Sequence, residues 1–461
     1  MNKINTKYIF AISMVSAMGG LLFGYDWVVI GGAKPFYEKF FYIAQSPGLQ
    51  GFAMSSALIG CLVGAAVSGI FSDRYGRKRL LLFSALLFTL SAIGTGAVSG
   101  FTGFIVYRII GGIGIGLAST LSPMYIAEIS PAAMRGKFVS LNQLTIVIGI
   151  LLAQIINWQI AQPVPAGATD VDILHSWNGQ TGWRWMFWAE SIPAGLFFIL
   201  MFFVPESPRW LAKTGNKKRV LRILARIGGD SYAANEYKNI SESLINTTGR
   251  VSIKSLFEPH LRKILLIGVV LAAFQQWCGI NVIFNYAEEV FEAAGYNVSD
   301  ILFNIVVTGS VNLIFTFVAI YTVDKLGRKA LMLIGAGGLT GIYALMGAAY
   351  FFQVTGWPLL LLVILAIACY AMSLAPVIWV VLSEIFPNRV RGAAMAVATL
   401  SLWLASFLLT LSFPILNSTF GASGTFWLYG IISLAGFIFI FKKLPETKGK
   451  SLEEIEHEII N

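Results

Sequence analysis

Two ionisable residues stand inside long apolar runs: Asp26 in GGLLFGYDWVVIGG and Arg108 in GFIVYRIIGGIGIG. A lone charge in the middle of a bilayer costs about 2.5–3.5 kcal/mol even on insertion scales, so the two are expected to face each other. A carboxyl paired in this way stays ionised while the pair is intact and takes up a proton when the pair loosens, which is the chemistry of a proton-coupling site. The plainer reading is a static structural ion pair.

A second constellation is neutral. Gln275, Gln276, Asn281 and Asn285 follow one another closely, Asn312 and Gln143 lie in other apolar runs, and Trp379 and Trp403 come later. Amides present a donor beside an acceptor, which suits vicinal hydroxyls better than a cation or an inorganic anion, and an indole face suits the C–H face of a sugar ring. The alternative makes the amides interhelical glue and the tryptophans core or interface residues. Asn281 follows Asp26 by 255 residues, so FGYD and CGIN occupy matching places, one with an acid and the other with an amide.

Charged motifs recur with nearly the same offset. Asp73-Arg-Tyr-Gly-Arg77-Lys78 returns as Asp324-Lys-Leu-Gly-Arg328-Lys329. Glu128, with Arg135-Gly136 after it, returns as Glu384 with Arg391-Gly392, and Pro205-Glu206-Ser-Pro-Arg209 is echoed by Pro445-Glu446-Thr-Lys448. An acid and an arginine recurring together suggest ion pairs made in one conformation and broken in another, a cytoplasmic latch; the plainer reading is topology charges and helix caps. Other signals carry little. Gly111-Gly112-Ile-Gly114-Ile-Gly116 has no strand before it and reads as close helix packing, not a dinucleotide loop. The three histidines are scattered, and Cys61, Cys278 and Cys369 lie in apolar runs. No metal, cofactor or catalytic constellation is expected, and the chain is not read as an enzyme.

These residues need elements to hold them. Among 461 residues, 56% are hydrophobic and 12% are charged, where soluble domains carry about a quarter. Most of the chain is therefore solvated by lipid, and the fold class is an all-α membrane protein. Twelve segments reach spanning length: 8–30, 51–71, 80–98, 102–124, 139–160, 185–204, 264–287, 301–322, 330–352, 358–383, 393–415 and 424–441. The first is taken as a true span because no cleavage site follows it. Of 33 Lys and Arg residues, 29 fall on the side shared by the termini, and only Lys34, Lys39 and Arg184 fall opposite, so both termini are expected in the cytoplasm. That bias also gives the net charge of +10 an ordinary cause, without a nucleic-acid partner. The repeat divides the chain into an N-terminal half, 1–204, a cytoplasmic linker, 205–263, a C-terminal half, 264–441, and a tail, 442–461. In the linker, Leu221, Ile223, Leu224 and Ile227 form an apolar face after Lys217-Lys218-Arg219, and a second helix is expected near 233–244. Parallel halves of this kind place a substrate path between them near the midplane.

Taken together, the D-x-x-G-R-K loops, Glu128 with Arg135-Gly136, PESPRW from Pro205, Gln275-Gln276 with Gly279-Ile-Asn281, and PETKG from Pro445 resemble the sugar porter family of the major facilitator superfamily. The likeness runs from about Lys7 to Lys450, and it is nearest to the bacterial proton-coupled xylose symporters. It implies the major facilitator fold, with Asp26 as the proton-coupling acid, Arg108 as its partner, and sugar contacts from Gln143, Gln275, Gln276, Asn281, Asn312, Trp379 and Trp403. The human facilitators of the family carry asparagine at the Asp26 place, which agrees with symport here. The expected function is thus proton-coupled uptake of a neutral monosaccharide, of the D-xylose or D-glucose class, by a monomer in a bacterial inner membrane. The rivals are a sugar uniporter and, more remotely, a sugar sensor. Five positions depart from the pattern: Trp27 for threonine, Asn285 for tyrosine, Tyr370 for phenylalanine, Ala375 for glycine and Leu402 for an amide.

Overall fold

The computed structural model describes residues 4–131, 134–165, 167–246, 256, 258–387 and 390–448, with the side chains of 243–246, 259, 260, 320 and 324 outside the description. Every regular element among the described residues is helical. In chain order these are α1 (Thr6–Phe40), α2 (Pro47–Tyr75), α3 (Arg77–Ala97), α4 (Phe101–Ile129), α5 (Arg135–Ile160), α6 (Asp170–His175), α7 (Trp183–Met201), α8 (Pro208–Lys213), α9 (Lys217–Asn246), α10 (Pro259–Trp277), α11 (Ile280–Asn285), α12 (Ala287–Glu292), α13 (Val298–Leu326), α14 (Arg328–Phe351), α15 (Trp357–Ala371), α16 (Leu374–Ile385) and α17 (Arg391–Lys443). Without water, a helix is the way a single segment satisfies its own backbone, which is why the apolar runs take this form.

Ten stretches among the described residues are long and apolar enough to cross a membrane. The 53 residues of α17 turn at Gly421, φ 67°, and so supply two crossings. α7, 19 residues with Arg184 and Glu190 among them, is not one of those ten and stands at the place of the remaining expected span, 185–204. Two spans are interrupted. Gly279, φ 89°, separates α10 from α11, and a Cβ placed there would lie 2.8 Å from the Tyr429 ring. Met372 and Ser373 separate α15 from α16, and Ala375 falls inside α16. α1 continues to Phe40, so Lys34 and Lys39, expected beyond the span, are both helical.

Packing groups the chain into two compact units, Met1–Asp26 with Ile59–Gly149 and Phe187–Arg250, and Trp27–Leu58 with Ile150–Met186 and Val251–Asn461. These contact units differ from the sequence halves 1–204 and 264–441, and the division passes through α1 between Asp26 and Trp27. In the first unit the glycine run of α4 does what its composition suggests: Ser84 on α3 donates to the Gly114 carbonyl at 2.8 Å, and a Cβ at Gly114 would meet the Ser84 carbonyl oxygen at 3.2 Å. Linker helices α8 and α9 also belong to this unit. Leu211, Val220, Leu224 and Ile227 are buried against Ile9, Ile126 and Phe138, with Leu221 and Ile223 packed beside them. Gly229, φ 82°, bends α9 between its two expected helical parts. Of the expected tail, the description reaches Lys448.

Candidate functional site

α1 and α4 bring Asp26 and Arg108 together in the first unit. Each side chain is 2% exposed. Arg108 Nη1 donates to Asp26 Oδ1, and Nη2 reaches the Asp26 backbone carbonyl at 3.3 Å. The same guanidinium lies 5.7 Å from the centre of the Phe187 ring on α7. Gly111, one turn after Arg108, leaves room for Ser91, whose hydroxyl a Cβ there would overlap, and the same Cβ would stand 3.4 Å from Asp26 Oδ2. That oxygen is buried and takes no hydrogen bond from any described residue. The arginine thus engages one carboxylate oxygen and the backbone of Asp26 and leaves the other oxygen without a described partner.

The second unit gathers the amides around the helix breaks. Gln275 and Gln276 end α10, and Asn281 and Asn285 lie on α11 just past Gly279. Gln275 Nε2 donates to the Ala375 carbonyl at 3.1 Å, tying the end of α10 to the start of α16, and Asn281 Nδ2 donates to Gln276 Oε1 at 2.5 Å. Gln275, Gln276, Asn281, Asn285 and, on α13, Asn312 are all buried. Gln275 Oε1 and Asn285 Oδ1 have no hydrogen-bond partner among the described residues. A buried amide oxygen left in this state is costly, and a ligand hydroxyl relieves it. Trp403 is buried with its ring 6.1 Å from that of Trp27, whereas Trp379 on α16 is 37% exposed. Tyr370 and Leu402 are buried as well. Gln143 is half-buried on α5 and belongs to the first unit.

The repeated charged motifs build two similar clusters, one in each unit. In the first, Arg77 Nη2 pairs with Glu128 Oε1 at 2.9 Å and Nη1 with Asp73 Oδ1 at 3.5 Å. Glu206 accepts the backbone N–H groups of Arg77 and Lys78 at 3.0 and 3.1 Å, and the Ser207 hydroxyl donates to Glu128. In the second, Arg328 Nη2 pairs with Glu384 at 3.1 Å, Glu446 accepts from the N–H groups of Arg328 and Lys329 at 2.9 and 3.1 Å, and Thr447 donates to Glu384 at 2.6 Å. A carboxylate at a helix N-terminus satisfies free amides and complements the helix dipole. Gly76 and Gly327, φ 92° and 89°, let the carboxylates approach, since a Cβ at Gly327 would meet Glu446 Oε2 at 2.7 Å. Burial opposes the charge on Glu446, but the amides of Lys448, Arg328, Lys329 and Thr447 outweigh it and hold the carboxyl below the usual range. Arg135 and Arg391 turn instead to backbone carbonyls, of Ala127 at 3.1 Å and Phe386 at 3.2 Å. Arg209 is exposed on α8, and the Asp324 side chain lies outside the described residues.

Comparison with known proteins bears on this arrangement directly. The family model described as Sugar (and other) transporter matches residues 12–459. The chain belongs to this sugar transporter family. It is 42% identical to the D-xylose-proton symporter of Escherichia coli K12, over 98% of this chain and 96% of that one. It is 40% identical to the arabinose-proton symporter of Bacillus subtilis, over 97% and 94%. Among solved structures, the inward-open conformation of the xylose transporter XylE from E. coli superposes with a TM-score of 0.86 at 40% identity, covering 98% of this chain and 100% of that one. The fold is therefore that of the major facilitator superfamily, and the protein is a multi-pass membrane transporter, not an enzyme.

Two features of this sugar transporter escaped the sequence reading. Glu190, on α7 and 2% exposed, lies within electrostatic reach of both Asp26 and Arg108. The signal was present in the sequence, a third ionisable residue in an apolar segment, six residues into the span 185–204. The other is the set of carboxylates around Lys34, taken up below.

Proposed function

We propose that this chain is a proton-coupled monosaccharide symporter of the D-xylose or D-glucose class, working by alternating access. Asp26 is its proton site, and Arg108 is the group that holds Asp26 ionised until the pair loosens. The observation that carries this reading is the buried carboxylate of Asp26, engaged by Arg108 through one oxygen while the other is free of described hydrogen bonds. The matching place in the second half holds the neutral Asn281, so one acid serves the repeat. Glu190 adds a second buried carboxyl near the pair and tunes its charge balance.

The sugar ligands are Gln275, Gln276, Asn281 and Asn312 with Gln143, and the indoles of Trp379 and Trp403 cover its apolar face. Support comes from the burial of the amides, from the amide oxygens left without partners, and from two broken helices, a device that places backbone and side-chain polar groups at a substrate site. The Arg77–Glu128 and Arg328–Glu384 pairs, with Asp73, Glu206, Arg209, Asp324, Arg135 and Arg391 around them, serve as cytoplasmic latches. The lysine and arginine distribution supports both termini in the cytoplasm of a bacterial inner membrane. The working unit in this reading is the monomer.

The test is sugar addition to energy-depleted cells that express the protein. Alkalinisation of the medium on adding D-xylose supports symport, and sugar entry without a pH change makes the protein a uniporter. A counterflow panel of pentoses and hexoses ranks the substrates.

A further inference from the structure

A buried charged cluster lies apart from Asp26 and the amides. Lys34, on α1 just before Pro35, is 2% exposed. Its ammonium lies 3.1 Å from Glu38 Oε2, 3.1 Å from Glu288 Oε2 and 2.8 Å from Glu289 Oε1. Glu38 stands one turn further along α1, and Glu288 and Glu289 open α12, so the lysine ties the two helices together. Gln50 on α2 donates to the same Glu38 Oε2 at 3.0 Å. All of these residues belong to the second unit.

The charges do not balance. One ammonium faces three carboxylates whose side chains are 6%, 12% and 19% exposed, which leaves two negative charges in excess. The neighbouring groups do not correct this. Lys39 is engaged by Asp170 at 3.4 Å and by the Pro35 carbonyl at 3.1 Å, Glu292 adds a further acid from α12, and Tyr37 and Tyr286 are neutral phenols. Glu38 Oε1 and Glu289 Oε2 are buried and take no hydrogen bond from any described residue. Carboxylates that share a site of this kind do not all ionise together, because each charge raises the cost of the next and burial removes the water that would screen them. A proton on one of them removes a charge and turns a bare oxygen into a donor. Lys34 already occupies the centre, and no group of acids among the described residues is arranged to hold a metal ion.

We propose that Lys34, Glu38, Glu288 and Glu289 form a second proton-binding site, separate from Asp26, and that its protonated form pins α12 to α1. The sign follows from the charge. The pin is held at low pH and weakens as the pH rises through the site's apparent pKa, when the added negative charge pushes α12 away. Placing this end of α1 on the outer face rests on the topology proposed above, and there an acid exterior would favour closure of the outer end together with proton loading. The binding of the proton does not depend on that reading.

Infrared titration of the full chain in lipid vesicles tests it, read together with amide hydrogen exchange of 287–292 corrected for the intrinsic pH dependence of exchange. The expected result is a protonated-carboxyl band that titrates with pH, survives in Asp26→Asn, is lost in Glu38→Gln or Glu289→Gln, and moves to higher pH in Lys34→Met, with α12 exchange rising as the band disappears. A purely structural ion cluster would not give a band whose midpoint moves with Lys34. Absence of the band, or a band unchanged in both glutamate variants, overturns the proposal. Uphill sugar uptake that persists in Asp26→Asn would instead overturn the coupling role of Asp26 and leave this site standing.

Discussion

Arg108 holds Asp26 twice, through the side-chain carboxylate and through the backbone carbonyl of the same residue. The second contact fixes the arginine whether or not the carboxyl is charged, so the pair is able to loosen at the side chain without coming apart. Arg108→Lys keeps the charge but cannot make both contacts from one point donor. We expect Arg108→Ala to abolish sugar accumulation and Arg108→Lys to lower it at least tenfold, measured as uphill uptake in vesicles with an imposed proton gradient. Undiminished accumulation in Arg108→Ala would remove the arginine from the coupling step.

The amide site is expected to answer to affinity. Gln276→Ala removes one hydroxyl partner and also frees Asn281, its 2.5 Å neighbour. A lost hydrogen bond of this kind is worth about 1 kcal/mol, roughly a fivefold to tenfold rise in Kd. Trp379→Ala is expected to weaken sugar binding comparably, with no change in the pH dependence of transport. If both variants bind sugar as the parent does, measured by calorimetry, the sugar-site assignment is wrong.

Gly279 holds φ 89° with the Tyr429 ring against it. A left-handed non-glycine residue costs roughly 1–2 kcal/mol, and the ring contact adds to that. Gly279→Ala is therefore expected to lower the thermal midpoint by several degrees and to reduce sugar binding, because the break that presents Asn281 shifts. Gly69→Ala, at a position with open space around it, serves as the control.

Glu446 is held charged by the amides at the start of α14, so its contribution is present above the unfolded pKa and is lost as pH falls through its depressed folded value. In Glu446→Gln the loss at neutral pH, screened by solvent, is expected to be roughly 0.3–1 kcal/mol, and the gap between parent and variant should close in acid, where the parent loses this contribution too. Thermal midpoints of both proteins across the acid range check this, and parallel profiles would contradict it.

The spans and the Asp26–Arg108 pair were legible because a charge scarce in an apolar run has few possible partners. The helix breaks were not. The run around Ser373 carries no marker of its break, and at Gly279 it is the positive φ, with the Tyr429 ring 150 residues away packed against it, that spacing alone does not reveal. Lys34 read as the end of a span because a lysine after an apolar run normally meets water. Its helix goes on because Glu288 and Glu289, 254 and 255 residues later, meet it instead. Glu206 and Glu446 were visible as echoes, but their work as caps on the backbone of the next motif depends on glycines with positive φ, which spacing alone does not reveal. Arg135 and Arg391 were read as partners of acids, whereas geometry gives them carbonyls at helix ends.

Whether Asp26 carries the proton is decided by Asp26→Asn in sealed vesicles, with two assays on one preparation. We expect accumulation of labelled D-xylose against its gradient to be lost while exchange of labelled for unlabelled sugar at equal pH continues. Accumulation that persists at the parent level in Asp26→Asn would contradict that role for Asp26.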